Sequence, residues 1–304
     1  MDQAERLRNR VKEQQSETVH ATHMQERKEP VVNNARVITV TSGKGGVGKT
    51  SVSVNLALQF QRKGKRTVII DADFGLANIE VMLGVHPKYN ISDLIYKDME
   101  IEEIITRGPE GIGFISGGSG VSELVNLERS DLQIFVAKMA KLDNIADVII
   151  IDTGAGISDA VQEFLMCSPE ILLVITPEPT STMDAYALLK AMNRRKEFNP
   201  AEKKINVITN RVENEKEGQS LFYNISTVAS QFLNIDLHFL GCIPQDLHAM
   251  KAIVQQKPIT MSYPNSMAAR YICRISDALC EIKPEKKEGF VGVFLNILKH
   301  QRKH

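Results

Sequence analysis

Residues 36–64 read RVITVTSGKGGVGKTSVSVNLALQFQRKG, and three textures follow one another inside them. RVITVTS is a short run rich in β-branched residues. GKGGVGKT, from Gly43 to Thr50, fits the pattern G-x-x-x-x-G-K-[ST]. SVSVNLALQFQRKG then carries apolar residues at helical spacing. Strand, glycine-rich loop and helix in that order are the context a phosphate-binding loop requires. Glycines let the backbone curl until successive N–H groups face one anionic group, and the helix N-terminus adds its dipole. Lys49 is the candidate for the β- and γ-phosphates, and the Thr50 hydroxyl for Mg²⁺. Gly43, Lys44, Gly45, Gly46, Val47, Gly48 and Ser51 complete the expected cradle.

Working outward, the alternation of strand and helix continues. TVIIDAD, IGFIS, DVIIIDTG, ILLVITP, INVITN and HFLGCIP are short runs rich in Val and Ile, of the kind buried on both faces of a sheet. Between them SDLQIFVAKMAKL and MDAYALLKAMNRR have helical spacing. This predicts an α/β fold of three layers, a mostly parallel sheet with helices on both faces. Residues 1–34 are polar and charged and predict a flexible segment outside that fold; 35–283 form the folded domain, and 284–304 a charged linker followed by a distinct tail.

The chain of 304 residues has a formal net charge of +0, so no global basic field directs it to nucleic acid, and no specific DNA binding is expected. Cys167, Cys242, Cys273 and Cys280 form no CxxC pair and read as free thiols in a reducing compartment rather than a metal site. No signal-peptide stretch and no long apolar run is present, which predicts a cytoplasmic protein that can visit a membrane surface.

Two of the strand runs end in acids. TVIIDADFGLAN sets Asp71 and Asp73 at the end of one, and DVIIIDTGAG sets Asp152 at the end of another. In an open parallel sheet ligands sit beyond these carboxyl ends. One such acid can orient an attacking water while another helps hold a metal or the loop. Asp71 reads equally well as a capping residue.

The second lysine of the loop carries a family resemblance. KGGVGKT, with Lys44 five residues before Lys49, resembles the deviant phosphate-loop signature of the MinD/ParA class, which includes the nitrogenase iron protein. The resemblance implies a P-loop ATPase that forms a homodimer around ATP, with Lys44 reaching the nucleotide held by the partner. It casts Lys44, Lys49 and Asp73 as the catalytic group. DADFGLAN resembles switch I of the class, which gives Asp73 the water and a place near the metal. DTGAG resembles switch II, which makes Asp152 a Mg²⁺ holder through water and points the Gly156 N–H at the γ-phosphate. INVITNR resembles the adenine-reading segment and nominates Asn210 and Arg211; FLGCIPQD nominates Pro244, Gln245 and Asp246 along the base. TNRV stands where a guanine-specific NKxD would be, so ATP is expected over GTP.

The two ends narrow the resemblance. Phe290, Val293, Phe294, Ile297 and Leu298 follow a helical stripe, with Lys299 on the opposite side and Arg302 and Lys303 after it. This resembles an interfacial amphipathic helix for anionic membrane lipid, weak singly and stronger when paired in a dimer. MDQAERLRNRV resembles the start of the MinD-like regulators of flagellar number, called FlhG, FleN or YlxH. In that subfamily the DQAxxLR segment stimulates the GTPase FlhF, which nominates Asp2, Gln3, Ala4, Leu7 and Arg8 for GTPase activation, Gln3 entering the GTPase site. The implied partners are FlhF and flagellar C-ring proteins of the FliM, FliN and FliY type. The implied location is the cytoplasm, with ATP-dependent association at the inner face of the membrane. Division-site placement of the MinD type and DNA partitioning of the ParA type are the alternatives.

Overall fold

The structure is a computed structural model that describes residues 34–73, 78–118 and 129–281, together with Phe290 and Gly292. The strands are β1 (Arg36–Thr41), β2 (Thr67–Ala72), β3 (Thr106–Arg107), β4 (Gly113–Ile115), β5 (Val148–Thr153), β6 (Glu170–Ile175), β7 (Lys204–Val212) and β8 (Leu237–Pro244). The helices are α1 (Lys49–Arg62), α2 (Asn78–Leu83), α3 (Asp93–Tyr96), α4 (Ile101–Ile104), α5 (Arg129–Ala140), α6 (Leu142–Ile145), α7 (Asp159–Cys167), α8 (Pro179–Asn193), α9 (Glu215–Leu233), α10 (Leu247–Val254), α11 (Ile259–Ser262) and α12 (Met267–Glu281).

The strands form one sheet in the order β3-β4-β2-β5-β1-β6-β7-β8. Every pairing is parallel except β3 with β4. The seven apolar runs of the sequence are seven of these strands. The reason they read as continuous apolar runs is that both faces are covered. On β5, Val148 and Ile150 enter one core while Ile149 and Ile151 enter the other; on β6, Leu172 and Val174 oppose Ile171, Leu173 and Ile175. One face is closed by α1 and α12, whose Ala268, Ile272, Ile275 and Leu279 recur at helical spacing. The other is closed by α5, α7, α8 and α9, the last through Ile225, Ala229 and Leu233. Arg36 fixes the foot of α12: its Nη1 donates to the Leu279 carbonyl (2.6 Å) while its Nε and Nη2 grip Glu170 (both 2.8 Å).

β1 lies between β5 and β6, so the loop that leaves β1 emerges at the centre of the sheet's carboxyl edge. The ends of β5 and β2 flank it, in register: Val40 pairs with Asp152, and Asp152 with Asp71. The fold therefore delivers the glycine-rich loop and the strand-end acids to one place.

The antiparallel β3 is too short for a sequence pattern to reveal, and it closes the sheet edge beside β4. Among the described residues no helix is long and apolar enough to cross a membrane. Phe290 departs from its expected place on a lipid-facing stripe. Its side chain is 2% exposed within the core, and its N–H donates to Asp143 Oδ1 (2.8 Å), the oxygen that also accepts from Ala35 N (3.2 Å). Burial of a large apolar ring is favourable wherever a complementary pocket exists. Val293, Phe294, Ile297, Leu298 and Lys299 lie outside the described residues, as do Asp2, Gln3, Ala4, Leu7 and Arg8.

Candidate nucleotide site

The loop between β1 and α1 takes its shape from glycines at positions where nothing else fits. Gly48 has φ 97°, the left-handed region, and a Cβ there would lie 2.5 Å from Asn210 Nδ2. At Gly43 a Cβ would lie 2.1 Å from the backbone of Asp184, because α8 passes directly over the loop. The loop is tied internally by Ser42 Oγ, which donates to Lys44 O (2.7 Å), and from outside by Gly156 N, which donates to Ser42 O (3.0 Å). That second bond gives the Gly156 N–H to the loop carbonyl of Ser42.

Beyond the loop opens a cavity of about 810 Å³, lined by Gly45, Gly46, Gly48, Lys49, Thr50 and Ser51 on one side and by Asp73, Asn210, Arg211, Pro244, Gln245 and Asp246 on others. Lys49, the first residue of α1, is 7% exposed. Burial lowers its pKa, against the pull of Asp152 and Asp73, which favour the charged form. It is a cation held in a dry place with too little negative charge around it, which suits a phosphate arriving there.

Asp152 is completely buried, and burial pushes its pKa up to about 6 against the Thr50 and Ser53 hydroxyls beside it. Ser53 Oγ donates to its Oδ1 (2.8 Å), while Oδ2 has no hydrogen-bond partner. A buried, unpartnered carboxylate oxygen beside the Thr50 hydroxyl is an oxygen donor set of the kind Mg²⁺ takes, with water completing the shell. The residues present therefore fit a Mg²⁺–nucleotide. Asp73 lines the cavity, and its Oδ2 accepts from Asn78 Nδ2 (3.3 Å). A Cβ on Gly154 would lie 3.1 Å from Asp73 Oδ1, so the two switch segments meet there. Asp71 caps the end of β2 through its bond to Asp73 N. It is buried, its Oδ1 accepts from Asp73 N (3.1 Å), and burial followed by the nearby Asp152 and Asp73 charges raises its pKa to about 8.

On the base side, Asn210 Nδ2 donates to Val47 O (2.7 Å) and its Oδ1 accepts from Arg211 N (2.9 Å). One amide hydrogen and one lone pair remain for a base edge. Asp246 is spent differently from its expected role along the base. Oδ1 accepts from His248 N (2.9 Å) at the start of α10, and Oδ2 from Ala268 N (3.1 Å) at the start of α12. Burial works against these bonds, but they prevail and hold its pKa below the usual carboxylate range. It lines the cavity as a structural clamp.

Lys44 is absent from the cavity lining. Its Nζ donates to Glu178 Oε2 (2.5 Å) and Thr180 Oγ1 (2.8 Å) at the start of α8. The sequence reading missed these two partners, missed Ser53, and missed the apolar wall of Val81, Met82, Met250 and Ile253. Ser53 had a legible signal, since four residues after Lys49 it shares that residue's helix side; the wall had none.

A parallel sheet with a glycine loop on its central strand, a buried lysine at the following helix and strand-end acids beside it define a P-loop nucleoside triphosphatase. The family model described as ParA, the NUBPL iron-transfer P-loop NTPase, matches residues 33–280. The chain is 38% identical over 234 residues to the antiactivator FleN of Pseudomonas aeruginosa, covering 77% of this chain and 82% of that protein. It is 33% identical over 275 residues to the flagellum site-determining protein YlxH of Helicobacter pylori, covering 88% of this chain and 91% of that one. In fold it is similar to the septum site-determining protein MinD complexed with Mg-ADP from Pyrococcus horikoshii, with a TM-score of 0.62, 21% identity and coverage of 81% and 96%. The chain belongs to the ParA/MinD family of P-loop NTPases, and its site is that of an ATPase.

Proposed function

We propose that this chain is an ATP-switched ATPase that sets flagellar number and placement by closing into a homodimer around ATP. The observation that carries the switch is Lys44, a cation on the phosphate loop that stays out of its own cavity and rests on Glu178 and Thr180 at the surface. A lysine so placed is available to phosphates brought by a second copy, where it offsets charge on the transferring group. The flagellar role draws support from the similarity to FleN and YlxH over most of the chain.

Within one protomer, Lys49 would meet the β- and γ-phosphates, Thr50 and Asp152 would hold Mg²⁺, and Asp73 would orient the attacking water beside Gly154. Bound Mg²⁺ supplies charge neutralisation on the phosphate oxygens. Asn210 and Gln245 meet the polar edge of adenine, and Met250 and Ile253 its face. The segment 1–34 acts as an activator of FlhF, with Gln3 helping to orient water in the GTPase site. The tail at 284–304 takes the ATP form to anionic lipid at the inner membrane face, and C-ring proteins of the FliM, FliN and FliY type read the outcome.

Dimerisation is tested by light scattering of the native and Lys44→Ala proteins with ATP. Native dimers and a monomeric variant are expected; Lys44→Ala dimers of native affinity would overturn the sandwich. The flagellar assignment is tested by adding a peptide of residues 1–20 to purified FlhF and following GTP hydrolysis. Stimulation that disappears with Gln3→Ala is expected; none from peptide or full-length protein would favour division-site placement.

A further inference from the structure

Ser53 sits inside α1, four residues after Lys49, and is fully buried. Its neighbours Val52 and Val54 are apolar and buried too. Serine is a poorer helix former than alanine, and alanine would leave no hydroxyl to bury. A mid-helix serine also has a common local outlet, the carbonyl four residues earlier. Here the hydroxyl instead leaves its own helix and donates to Asp152 Oδ1 at 2.8 Å, across 99 residues of sequence.

The consequence lies on the other oxygen. Asp152 is buried completely, with Oδ1 taken by Ser53 and Oδ2 without a hydrogen-bond partner. A carboxylate can turn about its Cβ–Cγ bond, and in this site Lys49 and Asp73 both act on its charge. Anchoring one oxygen fixes where the other points. Partners that orient a metal-side carboxylate in this way tune metal affinity more than they tune the rest of the site.

We propose that Ser53 is a positioning residue for the metal: its hydroxyl holds Asp152 with Oδ2 presented to the Mg²⁺ of the bound nucleotide. The proposal rests on the reading of Asp152 as the metal-side acid. It predicts a split between two affinities that a merely structural serine would not produce.

The test titrates Mg²⁺ into the full-length protein with a fluorescent ADP analogue bound, for the native chain, Ser53→Ala and Ser53→Thr. With EDTA present, the analogue should bind native and Ser53→Ala within about twofold of each other, while the Mg²⁺ needed for half-maximal tightening rises about tenfold or more in Ser53→Ala. Ser53→Thr, which keeps the hydroxyl, should return it to the native value. An unchanged Mg²⁺ requirement in Ser53→Ala overturns the proposal. So does an equal loss of metal-free affinity, which would show a loop disturbed as a whole. Failure of the native protein itself to respond to Mg²⁺ would instead sink the metal reading of Asp152, and the proposal with it.

Discussion

Asp71 and Asp152 stand opposite each other on neighbouring strands, paired in register and both buried. The sequence places both at strand ends, but it does not say which of them keeps its charge; that depends on burial, which only the folded chain has. Burial raises Asp71 from 3.8 to about 8. An acid raised on folding keeps its proton in the folded state through the window between those values, while the unfolded chain has released it. The unfolded state then binds fewer protons, so stability falls as pH rises through the window and levels off above it. In Asp71→Asn this penalty is gone, and the oxygen that accepts from Asp73 N is kept. The stabilisation of Asp71→Asn over the native chain should therefore be small near pH 4, grow up to about pH 8, and stay level beyond. Denaturant unfolding in EDTA, without nucleotide, at several pH values measures it; a difference that does not change with pH would mean that Asp71 is ionised in the fold.

Elements were legible where an apolar run or a helical period stood out; α9, the longest described helix, and α12 were not among them. The seven two-sided strands and the helices α1, α5 and α8 were readable because their side chains meet cores on one or both faces. β3, with two residues, carries no period. The role of α10 was hidden for another reason: Leu247, Met250, Ile253 and Val254 are exposed large apolar residues alongside exposed His248 and Lys251, so the exposed positions mix apolar and polar residues and set no clean period. Its start is set by Asp246, which the sequence motif places at the base but whose oxygens cap α10 and pin α12. Removing an N-cap carboxylate costs about 0.5–2 kcal/mol, and Asp246→Ala should destabilise by at least the middle of that range because the tie to α12 goes as well. ADP affinity should change far less than stability. Thermal unfolding beside an ADP titration separates the two, and a large loss of affinity at native stability would restore Asp246 as a base contact.

At the scale of the whole molecule, the phosphate loop, Asp73 and Asn210 could be read as neighbours because each belongs to a short motif at a strand end, and they line one cavity. The relation of the chain's ends to the domain was not legible, since amphipathic spacing alone does not distinguish a stripe made for lipid from one made for a core. Phe290 shows the difference: it has the spacing of the first and the burial of the second. Asp143 joins this point to the entry of the fold, because one carboxylate oxygen accepts from both Ala35 N and Phe290 N. On the membrane role proposed for the tail, binding to lipid would compete with this anchorage. Phe290→Ala removes the buried ring and leaves the rest of the stripe intact. The native protein should float with anionic vesicles with ATP and stay in solution with ADP, while Phe290→Ala should float with both nucleotides. If Phe290→Ala remains as dependent on ATP as the native chain, the ring does not hold the tail, and the nucleotide acts on membrane binding through pairing of the two tails alone.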